Sequence, residues 1–126
     1  MHCSTVVLSA LNVARERARD ARRDSDMYQV RAALNSYYFD NGSYPPEDVD
    51  TYRLSDITAY LVPTYLPSIP LDPTHGDTAL GYRYGTSNAF PHAMYTILVN
   101  YERDAPITWC EYRSEEGDPH WSNLPC

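Results

Sequence analysis

Residues 6–46 read VVLSALNVARERARDARRDSDMYQVRAALNSYYFDNGSYPP. Apolar and small residues recur there at steps of three and four, through Leu11, Ala14, Ala18, Ala21 and Ser25 and then Met27, Val30, Leu34 and Tyr37, the spacing of one helix face. That stripe, narrow at first and broad later, is expected to be the face turned toward a core. Charged residues stand between its members, and pairs such as Glu16 with Arg19 and Arg22 with Asp26 lie three or four apart. Each such pair supports a solvated helix by roughly a few tenths of a kcal/mol. No glycine or proline interrupts the segment before Gly42, and Pro45-Pro46 follow closely. Asn41-Gly42 supplies the left-handed backbone that ends helices and the prolines block resumption, so the helix is expected to stop near Asp40.

A helix of about 35 residues is a rod of roughly 52 Å, whereas a compact domain of this length has a diameter of about 35 Å. The rod must project from its own domain. Its projecting end, residues 6–14, is apolar on every side. It is too short for a bilayer, which takes about twenty residues, and no Lys or Arg precedes it as in a secretory signal. The segment reads as a helix end made to be buried among copies of itself, or continued upstream into a membrane and cut short here. Packing inside the monomer is the alternative.

The remaining composition describes one domain of 126 residues whose core draws on twelve tyrosines, with two Trp and two Phe. Tyrosine places a ring in the core and a hydroxyl at the water boundary. All ten basic residues are arginine. Residues 1–31 hold six of them against four acids, net +2, and residues 32–126 hold four against thirteen acids, net −9. An acidic head argues against nucleic-acid binding, and the interleaved acids make the arginine run a solvated helix face rather than a phosphate-binding one.

Cys110 and Cys126 bracket a C-terminal segment poor in apolar residues, and Cys3 is left over. A bridge across that segment would contribute about 3 kcal/mol in the chain-entropy picture and would place the domain outside the cytoplasm; a free structural thiol at Cys110 is the other reading.

After the helix come a loop over residues 41–52, a short helix over 55–60 with Ser55 as N-cap, and a stretch with four prolines between Pro63 and Pro73. The prolines forbid regular structure, so this stretch is expected to lie extended over a surface, anchored by Leu66, Ile69 and Leu71. Strands are expected over residues 81–86, 93–102 and 107–113, the last reached through a turn at 103–106. Consecutive strands with short connections make an antiparallel meander. The predicted fold class is therefore α+β, a long N-terminal helix packed on a three- to four-stranded antiparallel sheet, with residues 1–40 as helical stem and 41–126 as head.

The sequence holds no glycine-rich phosphate loop, no metal-type Cys or His spacing and no nucleophile elbow. His75, His92 and His120 fall in predicted loops, and no base accompanies Ser9, Ser36 or Ser87. No cofactor and no catalytic residue is expected. Asp72, Asp77, Glu115, Glu116 and Asp118 are carboxylates that a calcium ion accepts, but their order matches no calcium loop.

Three stretches together, ARERARDARR (14–23), YYFDNGSYP (37–45) and YLPSIPLDP (65–73), resemble the type IV pilin and type II secretion pseudopilin family. The likeness covers residues 4–102. The Tyr-Leu-Pro segment followed by Gly81-Tyr82-Arg83-Tyr84 is closer to major pseudopilins, while the terminal cysteine pair resembles the disulfide-closed loop of pilins. The resemblance implies a lollipop-like fold, a precursor held in the inner membrane, and homo-oligomeric assembly into a helical filament at the cell surface, or in the periplasm for a pseudopilin. The family's leader, processing site and most of its hydrophobic stem half are not found in residues 1–126, so the chain is expected to behave alone as a soluble monomer. Val7, Leu8 and Leu11, with Arg15, Arg19 and Arg22, are the expected subunit-interface residues. A minor pilin or adhesin, binding through residues 74–79 and 114–123 with Trp121 exposed, is the alternative from a different functional class.

Overall fold

The structure is a computed structural model that describes residues 3–86, 92–104, 109–114 and 126. Helix α1 spans Cys3–Asn41. It ends where the sequence places the stop: Gly42, at φ +75°, donates its N–H to the Tyr38 carbonyl at 2.8 Å, and only glycine takes that backbone without strain. Its 39 residues make a rod of about 58 Å. Residues 5–18 are all exposed, and burial begins at Arg19 and Asp20, so the first four turns stand clear of the head. Among the described residues no helix is long and apolar enough to cross a membrane.

The inward face of α1 differs from the expected one in its first half. Ala14, Ala18, Ala21 and Ser25 are exposed, and Asp20, Arg23 and Asp26 take the buried positions ahead of Met27, Val30, Ala33 and Leu34. Apolarity pointed to the alanines; the charged residues turn inward because the head supplies ionic partners there. Met27, Val30 and Leu34 follow the expected stripe and are buried.

The head is a three-stranded antiparallel meander in the order β1 (Arg83–Thr86), β2 (Tyr95–Asn100), β3 (Trp109–Arg113). Tyr84 pairs with Ile97, Ile97 with Tyr112, and Val99 with Cys110, so these side chains share the face that packs on α1. Tyr84, Ile97 and Val99 are fully buried. Cys110 joins this core and is bridged to Cys126. β1 begins two residues later than expected and β2 is two residues shorter at each end, as strand boundaries usually are; the expected start of β3 at residues 107–108 lies outside the described residues.

Before the sheet, a 3-10 turn (Leu54–Ile57) leads into the short helix α2 (Thr58–Leu61). Ser55 does not cap it. The Arg53 N–H donates to the Asp56 carboxylate at 2.8 Å, and the Ser55 hydroxyl donates instead to Asp77 at 2.6 Å. The proline stretch forms no regular element between α2 and β1, as expected. Leu66 is buried and Ile69 half-buried, whereas Leu71 is 44% exposed and anchors nothing. Tyrosine hydroxyls sit at the edges of the core: Tyr82 donates to Asp26, Tyr84 to the Pro45 carbonyl and Tyr101 to Asp24, each at 2.7 Å.

Leu34 is fully buried where α1 meets the sheet. Leu34→Ala is expected to lower unfolding free energy by about 3 kcal/mol in a urea titration, with Val30→Ala smaller. A loss under 1 kcal/mol would mean that α1 is not docked on the sheet as described.

Candidate functional site

The arginines of α1 divide into two groups. Arg15, Arg17 and Arg22 are exposed, while Arg23 has no exposed side-chain surface at all. A guanidinium carries five N–H donors, and all of those of Arg23 are used. Its Nε and Nη2 donate to the two oxygens of Asp72 at 2.8 and 3.2 Å, Nη1 to Asp20 and Glu102 at 2.8 Å each, and Nη2 also to the Thr74 hydroxyl at 3.0 Å. Arg19 completes the cluster with a two-pronged contact to Glu102 at 2.6 and 2.7 Å. Planar bidentate pairs of this kind are the strong ones.

Each carboxylate also organises backbone. Asp20 accepts the N–H groups of Glu102 and Arg103 at 2.9 Å, so a residue of α1 caps the 3-10 turn (Glu102–Asp104) that leaves β2. Asp72 accepts the N–H groups of Thr74 and His75 at 2.9 Å, shaping the loop that closes at Gly76. A side chain at Gly81 would run into the Gly76 carbonyl, which fixes how that loop returns to the sheet. Three segments far apart in sequence thus converge on one cation at the level where α1 enters the head.

The electrostatics follow from this packing. Hydrogen bonds from Arg19 hold the Glu102 carboxyl down at about 2, against the burial that opposes them and with help from Arg23. Burial pushes the Asp72 carboxyl up, but Arg23 and the amides of His75 and Thr74 outweigh it, and the net direction is down. The Arg23 guanidinium is held charged: burial works against it and is overcome by Asp72, Glu102 and Asp20. Asp26 goes the other way, raised by burial despite the hydrogen bond from Tyr82.

The expected interface residues fall into two classes. Val7, Leu8 and Leu11 are 63%, 60% and 42% exposed, and Arg15 and Arg22 stay on the outside of α1. Arg19, by contrast, is committed to Glu102 of its own chain, and its expected partner Glu16 has no hydrogen bond to it. Sequence reasoning placed Arg23 and Asp20 on a solvated face. Nothing local distinguishes them from Arg22 and Asp24, because apart from the contact between Arg23 and Asp20 themselves their partners lie 49 to 83 residues away. The adhesin loop at 114–123 and Trp121 lie outside the described residues apart from Ser114, as do Glu115, Glu116 and Asp118. Of the calcium candidates that are described, Asp72 is taken up by Arg23 and Asp77 accepts Ser55. Among the described residues no group of three or more His, Cys, Asp or Glu is placed to hold a metal ion. His92 lies 3.3 Å from the Thr86 hydroxyl through Nδ1.

Compared with protein-family models, curated proteins and solved structures, the chain matches none. The pilin likeness therefore stands on the residues quoted above, beside a geometry in which one charged hub joins an apolar helical stem to a sheet head.

Removing a buried cation leaves its carboxylates uncompensated, at a cost of about 3–5 kcal/mol. Arg23→Met is expected to destabilise by that amount, and Arg15→Ala to stay within about 0.5 kcal/mol of the parent, by thermal or denaturant unfolding. Equal effects would contradict the hub. The pH dependence carries a sign. Asp72 and Glu102 are held below their ordinary values, so their stabilisation is present above the unfolded pKa and disappears as pH falls through the folded one. For Glu102 that window runs from 4.5 down to about 2. Asp26, being raised, gains protons earlier and offsets a part of the loss. Tm is expected to hold to about pH 5 and then fall steeply, and Arg23→Met should flatten that fall.

Proposed function

We propose that this chain is a non-enzymatic structural subunit of a pilus-like filament. The observation that carries the reading is the stem. Val6, Val7 and Leu8 are 68%, 63% and 60% exposed on a helix that continues without interruption into the head and is tied there by the Arg23 cluster. Exposed apolar surface of this kind is stabilised at roughly 25 cal/mol per Å² when buried, and a stem held at a fixed angle to its head can repeat the same burial from one subunit to the next. A contact of that type is heterologous and open-ended.

The Cys110–Cys126 bridge supports a head that folds outside the cytoplasm. In the proposed assembly, copies arise anchored in the inner membrane and end in a surface filament. A major pseudopilin of a type II secretion system is the second reading, favoured by the proline stretch leading through Leu66 and Asp72 to Tyr82 and Tyr84; it places the same assembly in the periplasm. Arg15, Arg17 and Arg22 are the exposed cations available to the acidic heads of neighbouring copies, at residues such as Asp48 and Asp50.

In the source cells, antibody against the head is expected to decorate sheared surface filaments along their length, and a strain lacking the chain should lose them. Arg15→Glu with Arg22→Glu should cut filament yield severalfold with Tm unchanged, whereas Arg19→Glu should act through Tm. Filaments present in normal amount without this chain would remove the major-subunit reading, and labelling confined to the periplasm would select the pseudopilin.

A further inference from the structure

A groove of about 670 Å³ runs between α1 and the proline stretch, with Arg22, Ser25, Asp26 and Gln29 on one wall and residues 67–71 on the other. Two charges in it are uncommitted. Their spacing on the helix would pair Arg22 with Asp26, yet Arg22 is exposed and makes no hydrogen bond or ion pair with any described residue. Asp26 is 8% exposed and takes the Tyr82 hydroxyl on Oδ2 at 2.7 Å, while its Oδ1 accepts nothing from the described residues. The Arg22 charge counteracts the rise that burial gives this carboxyl but does not cancel it. A carboxylate so far withdrawn from water gains more from one charged donor than an exposed carboxylate does.

The facing wall is equally unfinished. The N–H groups of Ser68, Ile69 and Leu71 donate to no described residue, and Pro67 and Pro70 have none to donate. Leu71 is 44% exposed, with Ile69 half-buried near it. Unpaired main chain next to apolar side chains is an edge to which an extended peptide adds. We propose that the groove binds an extended segment of another protein carrying an acidic and a basic residue two positions apart. The basic residue meets Asp26, the acidic one meets Arg22, and the main chain of the segment pairs with residues 68–71.

Helix and strand geometry set that spacing. Arg22 and Asp26 are four residues apart on α1, about 6 Å along its axis, and side chains on one face of an extended chain recur about every 6.6 Å. Adjacent residues of such a chain point to opposite faces and cannot meet both charges. From Arg22 to Gln29 the wall is about 10 Å long, the reach of about three extended residues. A second copy of this chain does not supply the segment. With arginine as the base, the pattern occurs at residues 20–22, 22–24, 111–113 and 113–115. The first two are helical, and Arg113, common to the others, is already bonded to Glu111 at 2.7 Å. The partner is therefore a different chain, and the inference stands apart from the filament reading.

Random heptapeptides displayed on phage and selected on the purified chain provide the test, with the Asp26→Asn chain as a parallel target. Peptides enriched on the parent are expected to hold an acidic and a basic residue two positions apart. A synthetic copy should bind the Asp26→Asn chain about tenfold more weakly and should shift the amide signals of Ser68, Ile69 and Leu71 in an NMR titration of the parent. Moving its two charges to adjacent positions should weaken binding severalfold. Arg22→Glu, at an exposed position without partners in the fold, is the second variant, and selection on it is expected to replace the acidic residue of the peptides by a basic one. No enrichment on the parent over Asp26→Asn, enriched peptides without the charge pattern, or an unchanged preference on Arg22→Glu each overturn the proposal. Amide shifts confined to other surfaces do the same.

Discussion

The orientation of the stem depends on one guanidinium that has left water completely. Burying an isolated charge is prohibitive, and Arg23 is tolerated inside because five donors meet five acceptors and three carboxylates surround it. Such a pair is weak evidence for net stability, since apolar residues of similar volume often do as well. What it supplies is direction. Apolar packing alone would let α1 slide or roll on the sheet at small cost, whereas a bidentate contact to Asp72 and a shared contact to Asp20 and Glu102 are satisfied at a single register and rotation.

That constraint spreads outward through the carboxylates. Asp20 holds the turn after β2, Asp72 holds the loop after the proline stretch, and Glu102 recruits Arg19. The two loops nearest the stem are thereby tied to the helix instead of to each other. Among the described residues, all of 5–18 are exposed, so this length of stem inherits its angle from the cluster. In the proposed filament, that angle is the quantity that decides whether the same stem contact can repeat from one copy to the next.

Much of the architecture was legible in the residues. Uninterrupted helical spacing with an Asn41-Gly42 stop located α1, β-branched and aromatic alternation located β2, and four closely spaced prolines located the irregular stretch. The charged hub was not legible. Arg19, Arg22 and Arg23 look alike in sequence, and which of them turns inward is decided by Asp72 and Glu102, which arrive from segments that no local pattern connects to the helix. The alanine series misled for a related reason. Spacing identifies a face that avoids charge without saying what the face is turned toward, and here the charge-free face of the first half of α1 is the one turned away from the head.

The inner and outer faces put opposite demands on one helix. The inner series accepts charge at Asp20, Arg23 and Asp26 because the head provides fixed counter-groups at known positions. The outer series, from Leu11 through the alanines to Ser25, has no head across from it and excludes charge, and Tyr28 and Phe39 further along stand in water. Unsatisfied apolar exposure on a surface helix is costly in solubility and contributes nothing to the fold of a single chain. The small residues make the same point from the other side: Ala14, Ala18 and Ala21 lower the barrier to close helix approach but remove any side chain able to shield the backbone from solvent. Alanine is also the strongest helix former, so at these exposed positions it supports the free length of α1 itself.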